Sequence, residues 1–208
     1  GLSTGWGNEL TALTEIGAEK MADFMEYYGV DGLGYNSEFS TSNSALLENL
    51  RTFHSELYKL EKTSGKNPLF ENFWYDGTND NGGITFDQGL GGHNEQTFGD
   101  SDNPRTSLFF NYNWNNVSRM ETSIANAEKM GRDPLDLYCG FNMQGAEPKY
   151  GTRWPLLEGR NLSIGLWGAH SENMPFESRG ELGALPEVKQ RTYMLRVERW
   201  FSSGSRNP

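Results

Sequence analysis

The sequence predicts an α/β protein built on parallel strands, and two observations carry that class. Segments with helical apolar spacing alternate with short apolar runs along most of the chain, the pattern of strands joined by crossover helices. Polar and aromatic residues gather where those runs end, at Asn36/Glu38, Tyr75/Asp76, Asn113/Trp114, Asn142 and His170. A (β/α)8 TIM barrel places its functional residues at that end of its strands. Five strands can be counted rather than eight, and such barrels run to about 250 residues. Residues 1–208 are therefore expected to form one partial barrel domain, strands four to eight, with the first three units upstream. A small open doubly wound sheet is the alternative.

The elements follow in order. Leu10, Leu13, Ile16, Met21, Phe24, Met25 and Tyr28 predict a helix over 10–28, closed by Gly29. Val30 to Asn36 reads as the first strand. Positions i and i+2 of a strand point the same way, so Asn36 and Glu38 present an amide and a carboxyl side by side. Leu46, Leu47, Leu50, Phe53, Leu57 and Leu60 predict a second helix over 44–62, with His54 on its exposed side. Residues 69–76 form the next strand, and 77–98 a long polar connection of the kind that is usually functional. Strands are expected at 107–114, 136–143 and 162–169. Helices are expected at 117–130 and 186–201, the last entered by Pro186.

Composition narrows the function classes. Lys and Arg total 18 against 28 Asp and Glu, a net charge of −10, and no basic run exists, so nucleic acid is excluded as an expected partner. No apolar run reaches the ~20 residues of a membrane span. A single cysteine, Cys139, permits no internal disulfide. No His/Cys/Asp spacing suggests a metal site and no glycine-rich phosphate loop follows a strand, so neither metal nor cofactor is expected. Aromatic residues make up 13% of the chain, with 6 Trp, 9 Tyr and 12 Phe, often beside Asn. Such faces suit sugar rings, or are simply core.

Asp31-Gly32-x-x-x-Asn36-x-Glu38 resembles the fourth-strand signature of glycosidases that use the substrate's own acetamido group. Family 18 chitinases end that pattern Asp-x-Glu. The Asn-x-Glu ending is similar to glycoside hydrolase family 85, the endo-β-N-acetylglucosaminidases acting on N-glycan cores. Trp74-Tyr75-Asp76, Phe110-Asn111-Tyr112-Asn113-Trp114, Tyr138-Cys139-Gly140-Phe141-Asn142 and Ser163-Ile164-Gly165-Leu166-Trp167 resemble that family's strands five to eight, in order. Asn142 stands where the family usually has Asp, Phe86 where a Trp is expected, and its Arg finds no match at 144–146.

The resemblance implies a catalytic barrel that hydrolyses the N,N′-diacetylchitobiose core of N-linked glycans or glycoproteins with retention. The acetamido oxygen would attack the anomeric carbon to give an oxazoline. Glu38 would be general acid and then base, kept protonated by burial and neighbours, while Asn36 would orient the acetamido group. Tyr75 would touch that group or the intermediate, and Trp114 and Phe86 would form walls. Asn113, Trp167 and His170 would line the pocket. Asn111 either contacts substrate or satisfies barrel hydrogen bonds, and Asp76 either contacts substrate or caps the following loop. Tyr75 and Trp114 have core packing as their plain alternative. The rival functions are a family 18 chitinase-like hydrolase, disfavoured by Asn36, and an inactive glycan-binding barrel with no need for Glu38. A secreted or cell-surface bacterial setting is expected over a cytoplasmic one.

Overall fold

The computed structural model describes residues 6–64, 71–142, 154–167 and 185–202. Within them, five strands form one all-parallel sheet: β1 (Gly32–Tyr35), β2 (Glu71–Tyr75), β3 (Ser107–Phe110), β4 (Leu137–Asn142) and β5 (Ser163–Trp167). Their spatial order follows the chain, β1-β2-β3-β4-β5. A doubly wound sheet reverses its order at a switch point. This one never reverses, so it is a half-barrel and the open-sheet alternative falls.

The helices are α1 (Trp6–Ile16), α2 (Ala18–Tyr28), α3 (Ser44–Ser64), α4 (Glu95–Phe98), α5 (Val117–Lys129), α6 (Trp154–Leu157) and α7 (Pro186–Ser202). The single helix expected over 10–28 is two, because Gly17 takes φ 84° between them. Apolar spacing continues across that break, which is why periodicity hides it. Asn116 caps α5 by accepting from the Arg119 N–H over 3.1 Å.

Register assigns the two faces of the sheet. Tyr35, Trp74, Leu108 and Leu137 lie side by side on neighbouring strands. All four are buried, in one core with Leu46 and Leu50 of α3 and Met120 and Ala127 of α5. Each such side chain contributes about 1.5–3 kcal/mol by leaving water. The next register row, Tyr75, Phe109, Tyr138 and Ser163, faces the concave side. There Phe73, Phe109 and Tyr138 remain half-exposed.

His54 corrects an expectation. It is 2% exposed, not on the outer side of α3. It falls four residues after Leu50 and seven after Leu47, on the apolar stripe, and its Nε2 pairs with Tyr35 Oη at 2.9 Å. Burial, helped by Arg105, pushes its pKa down to about 3, so it is a neutral core residue.

The strands are shorter than expected, because polar-aromatic alternation runs on past the last sheet hydrogen bond. Residues 111–114 are a turn rather than the end of β3. No described helix is long and apolar enough to cross a membrane.

Candidate active site

The site forms where β1, β2 and β3 end. Tyr35 closes β1, and the chain then makes a three-residue turn with the Glu38 N–H donating to the Asn36 carbonyl over 2.8 Å. Burial alternates along it: Asn36 half-buried, Ser37 buried, Glu38 exposed, Phe39 buried. Asn36 and Glu38 thus share the outward side while Ser37 and Phe39 anchor the segment. β2 ends in a matching turn, with the Gly77 N–H donating to the Tyr75 carbonyl over 2.7 Å.

Several bonds lock these two ends together. The Ser37 hydroxyl donates to the Tyr75 carbonyl over 2.6 Å. The Ser37 carbonyl accepts from the Thr78 N–H at 2.5 Å. The Phe39 N–H donates to Thr78 Oγ1 at 3.1 Å. Gly77 has to be small, since a Cβ there would overlap the Ser37 carbonyl and sit 3.5 Å from Glu38 Cγ. The carboxyl-bearing side chain therefore passes over the β2 turn.

Tyr75 is the hub of the rim. Its ring centroid lies 6.1 Å from Phe86, 5.9 Å from Tyr112, 6.1 Å from Phe109 and 6.5 Å from Trp167, which stacks at 29°. Phe86 and Trp167 are 42% and 37% exposed, leaving apolar surface for a ligand. Asn111 Nδ2 donates to Tyr75 Oη over 2.7 Å. Burial raises the Tyr75 phenol pKa, and the Glu38 charge raises it further, while hydrogen bonds from Asn111 and Tyr112 oppose the rise. Glu38 and Tyr75 thus feel one another.

The polar connection 77–98 is a built loop held by two buried carboxylates. Asp76 accepts from the Asp87 N–H at 3.1 Å and the Gln88 N–H at 2.6 Å, placing Phe86 beside Tyr75. This is the loop-capping role. Burial pushes the Asp76 pKa up to about 6. Asp80 accepts from the N–H groups of Gln96 and Thr97, each at 2.9 Å, at the start of α4.

The structure thus brings Asn36, Glu38, Tyr75, Phe86, Asn111, Asn113 and Trp167 to one rim. It removes Trp114 from that set. Trp114 is fully buried, with its Nε1–H donating to the Gly140 carbonyl over 2.6 Å, because the turn after β3 folds it into the core against Phe141 of β4. Glu38 is exposed, so the burial expected to hold its proton is not supplied by the described residues. His170 lies outside the described residues. Sequence reasoning missed Ser37, Gly77, Thr78, Tyr112 and Gln88. The first three carry a faint signal, flanking the Asn36/Glu38 pair or following Tyr75-Asp76. Among the described residues no His/Cys/Asp/Glu group is arranged to hold a metal ion.

Fold and rim together define a segment of the (β/α)-barrel class with a carbohydrate-type surface of aromatics, amides and an acid. The family model described as Glycosyl hydrolase family 85 matches residues 9–204, and the chain belongs to that family. Among solved structures, the chain is similar to the glycoside hydrolase domain of Endo-D from Streptococcus pneumoniae R6, at 29% identity and a TM-score of 0.65. That match covers 84% of this chain and 27% of the other, so this chain spans little more than a quarter of that relative. No curated protein matches the sequence.

Proposed function

We propose that this chain carries the acid and amide of an endo-β-N-acetylglucosaminidase that cleaves the N,N′-diacetylchitobiose core of N-glycans. The supporting observation is the arrangement of Asn36 and Glu38 on one side of the buried Ser37 anchor, beside the Tyr75 hydroxyl. Membership of family 85 and the similarity to the Endo-D domain support the same reading.

In this reading the sugar lies against Phe86 and Trp167 with its C2 acetamido group toward Asn36 and Tyr75. Asn36 accepts the acetamido N–H, which turns the carbonyl oxygen toward the anomeric carbon and increases its nucleophilicity. As that oxygen forms its bond to C1, the glycosidic bond breaks and Glu38 gives its proton to the departing oxygen. Asn36 keeps accepting the N–H of the oxazolinium ion, which stabilises its charge. Glu38, now a carboxylate, takes a proton from water as that water adds at C1 and the C1–O bond to the acetamido oxygen breaks, which restores the acetamido group and retains the configuration. No enzyme carboxylate serves as nucleophile, which accounts for an amide at position 36. The concave residues Phe73, Phe109 and Tyr138 are half-exposed, and the reading assigns their cover to three further βα units of the same barrel. It also assigns the protein to a bacterial surface or secreted setting.

The test is release of high-mannose glycan by the intact protein. Glu38→Gln should lose hydrolysis. Asn36→Ala should lose hydrolysis of the glycan by about 10²–10³-fold, yet still use a pre-formed sugar oxazoline as donor. Undiminished cleavage by Glu38→Gln would assign the acid's role to another residue, whereas a parent that binds glycan without releasing it would leave an inactive glycan-binding barrel as the account.

A further inference from the structure

The amide side chains above β2 and β3 form a directed chain whose polarity is set by a group that cannot turn. The main-chain N–H of Asn113 donates to Gln88 Oε1 over 3.0 Å. Gln88 must therefore offer its NH2 elsewhere, and its Nε2 lies 3.3 Å from Asn111 Oδ1. Asn111, holding its oxygen toward Gln88, directs Nδ2 at Tyr75 Oη over 2.7 Å. Tyr75 accepts on that side. Its own proton then points away from Asn111, into the part of the rim shared with Glu38 and with Tyr112, whose side chain is hydrogen-bonded to Tyr75.

The backbone is strained to make this possible. Gln88 has φ 59°, and no other non-glycine among the described residues has a positive φ. A residue with a Cβ takes that conformation only where its surroundings impose it, and such strain clusters at functional sites. Here Asp76 imposes it, through the 2.6 Å bond from the Gln88 N–H. A turn alone would be served better by Gly or Asn. The Gln at this position supplies the reach that both would lack.

We propose that Gln88 is a positioning residue: through Asn111 it holds the Tyr75 hydroxyl as acceptor toward β3 and as donor toward the acetamido group of a bound sugar. The sugar in that statement rests on the function proposed above; the hydrogen-bond relay does not. Without Gln88, only the longer 3.5 Å bond from Asn113 Nδ2 holds the Asn111 oxygen, which can then turn to Tyr75. The phenol proton is then spent on Asn111 and withheld from the substrate.

Gln88→Asn in the intact protein separates positioning from structure. Asn is more at ease than Gln at positive φ but too short for Asn111. A structural role predicts unchanged kcat and a Tm equal to or above the parent's. The relay predicts that Tm with a kcat lowered about tenfold, KM moving far less. Gln88→Glu, which can accept from Asn113 but has no proton for Asn111, should lower kcat as well. In a Tyr75→Phe background Gln88→Asn should cost nothing further, because both changes interrupt one chain. With 13C-labelled tyrosine, the Tyr75 Cζ resonance, assigned by its loss in Tyr75→Phe, should move in both Gln88 variants. Unchanged kcat, a change in KM alone, full additivity with Tyr75→Phe, or an unmoved resonance would each overturn the proposal. A moved resonance in a protein whose parent releases no glycan would uphold the relay and overturn the glycosidase reading instead.

Discussion

The hydroxyl of Ser37 donates to the main-chain carbonyl of Tyr75 over 2.6 Å, in surroundings closed to water. This bond joins the residue between Asn36 and Glu38 to the residue at the centre of the rim. It holds the acid and amide of the turn after β1 at a set height over the phenol of β2. Ser37→Ala should cost about 1 kcal/mol of stability for the lost bond. Its effect on catalysis should be larger than on folding, because misplacement by about 1 Å can cost 10²-fold in rate. Urea unfolding and kcat on the same preparation check this. A variant that loses stability and keeps kcat would show that the bond serves folding only.

Gly77 makes a related prediction with a different cause. A methyl group there overlaps the Ser37 carbonyl and comes to 3.5 Å from Glu38 Cγ. Gly77→Ala should therefore push the β1 turn outward and carry Glu38 with it. The expected signature is a fall in kcat with glycan hydrolysis and with oxazoline donors alike, since Glu38 acts in both halves of the reaction. Loss confined to one half would place the strain elsewhere.

Asp76 gives the site a pH dependence. Its folded pKa, pushed up to about 6 by burial, lies above the ordinary aspartate value of 3.8. Between those values the folded protein holds the extra proton. The stability contribution of this group is thus fully present below about pH 4 and is lost as pH rises through 6. Activity should move the other way, because the ionised carboxylate accepts from both Asp87 and Gln88. Asp76→Asn removes the titration. Denaturation at pH 4.5 and pH 7 should show the variant gaining on the parent as pH rises, while its kcat at pH 7 falls. A stability gap that does not change with pH would assign the titration to another group.

Much of this arrangement was legible in the sequence, and the failures share a cause. Strand and helix alternation announced the parallel sheet, because each strand buries a row such as Tyr35, Trp74, Leu108 and Leu137 against helices. Asn36 and Glu38 were visible because a two-residue spacing needs only local geometry. His54 was misread because a polar residue on an apolar stripe shows its partner, Tyr35, only in three dimensions. Gln88 left no trace, since positive φ in a non-glycine is imposed by Asp76, twelve residues earlier. The 77–98 connection was visible as a long polar stretch, but the Asp76 bonds that set Phe86 beside Tyr75 were not. What sequence spacing encodes is the element. What it omits is the turn that decides which end residue faces the rim.

Trp114 tests that last distinction. It sits one residue beyond Asn113, yet the turn after β3 buries it completely, 5.2 Å from the Phe141 ring and bonded to Gly140. A sugar wall and a core residue fail in opposite ways. Trp114→Ala should cost about 3–5 kcal/mol, as large aromatic truncations in cores do. Trp114→Phe keeps most of the volume and strands the Gly140 carbonyl, at about 1–3 kcal/mol. For a wall, KM for glycan would rise in Trp114→Phe with little change in Tm. For the buried residue seen here, Tm falls while KM stays within about twofold of the parent, and the pair of measurements decides between them.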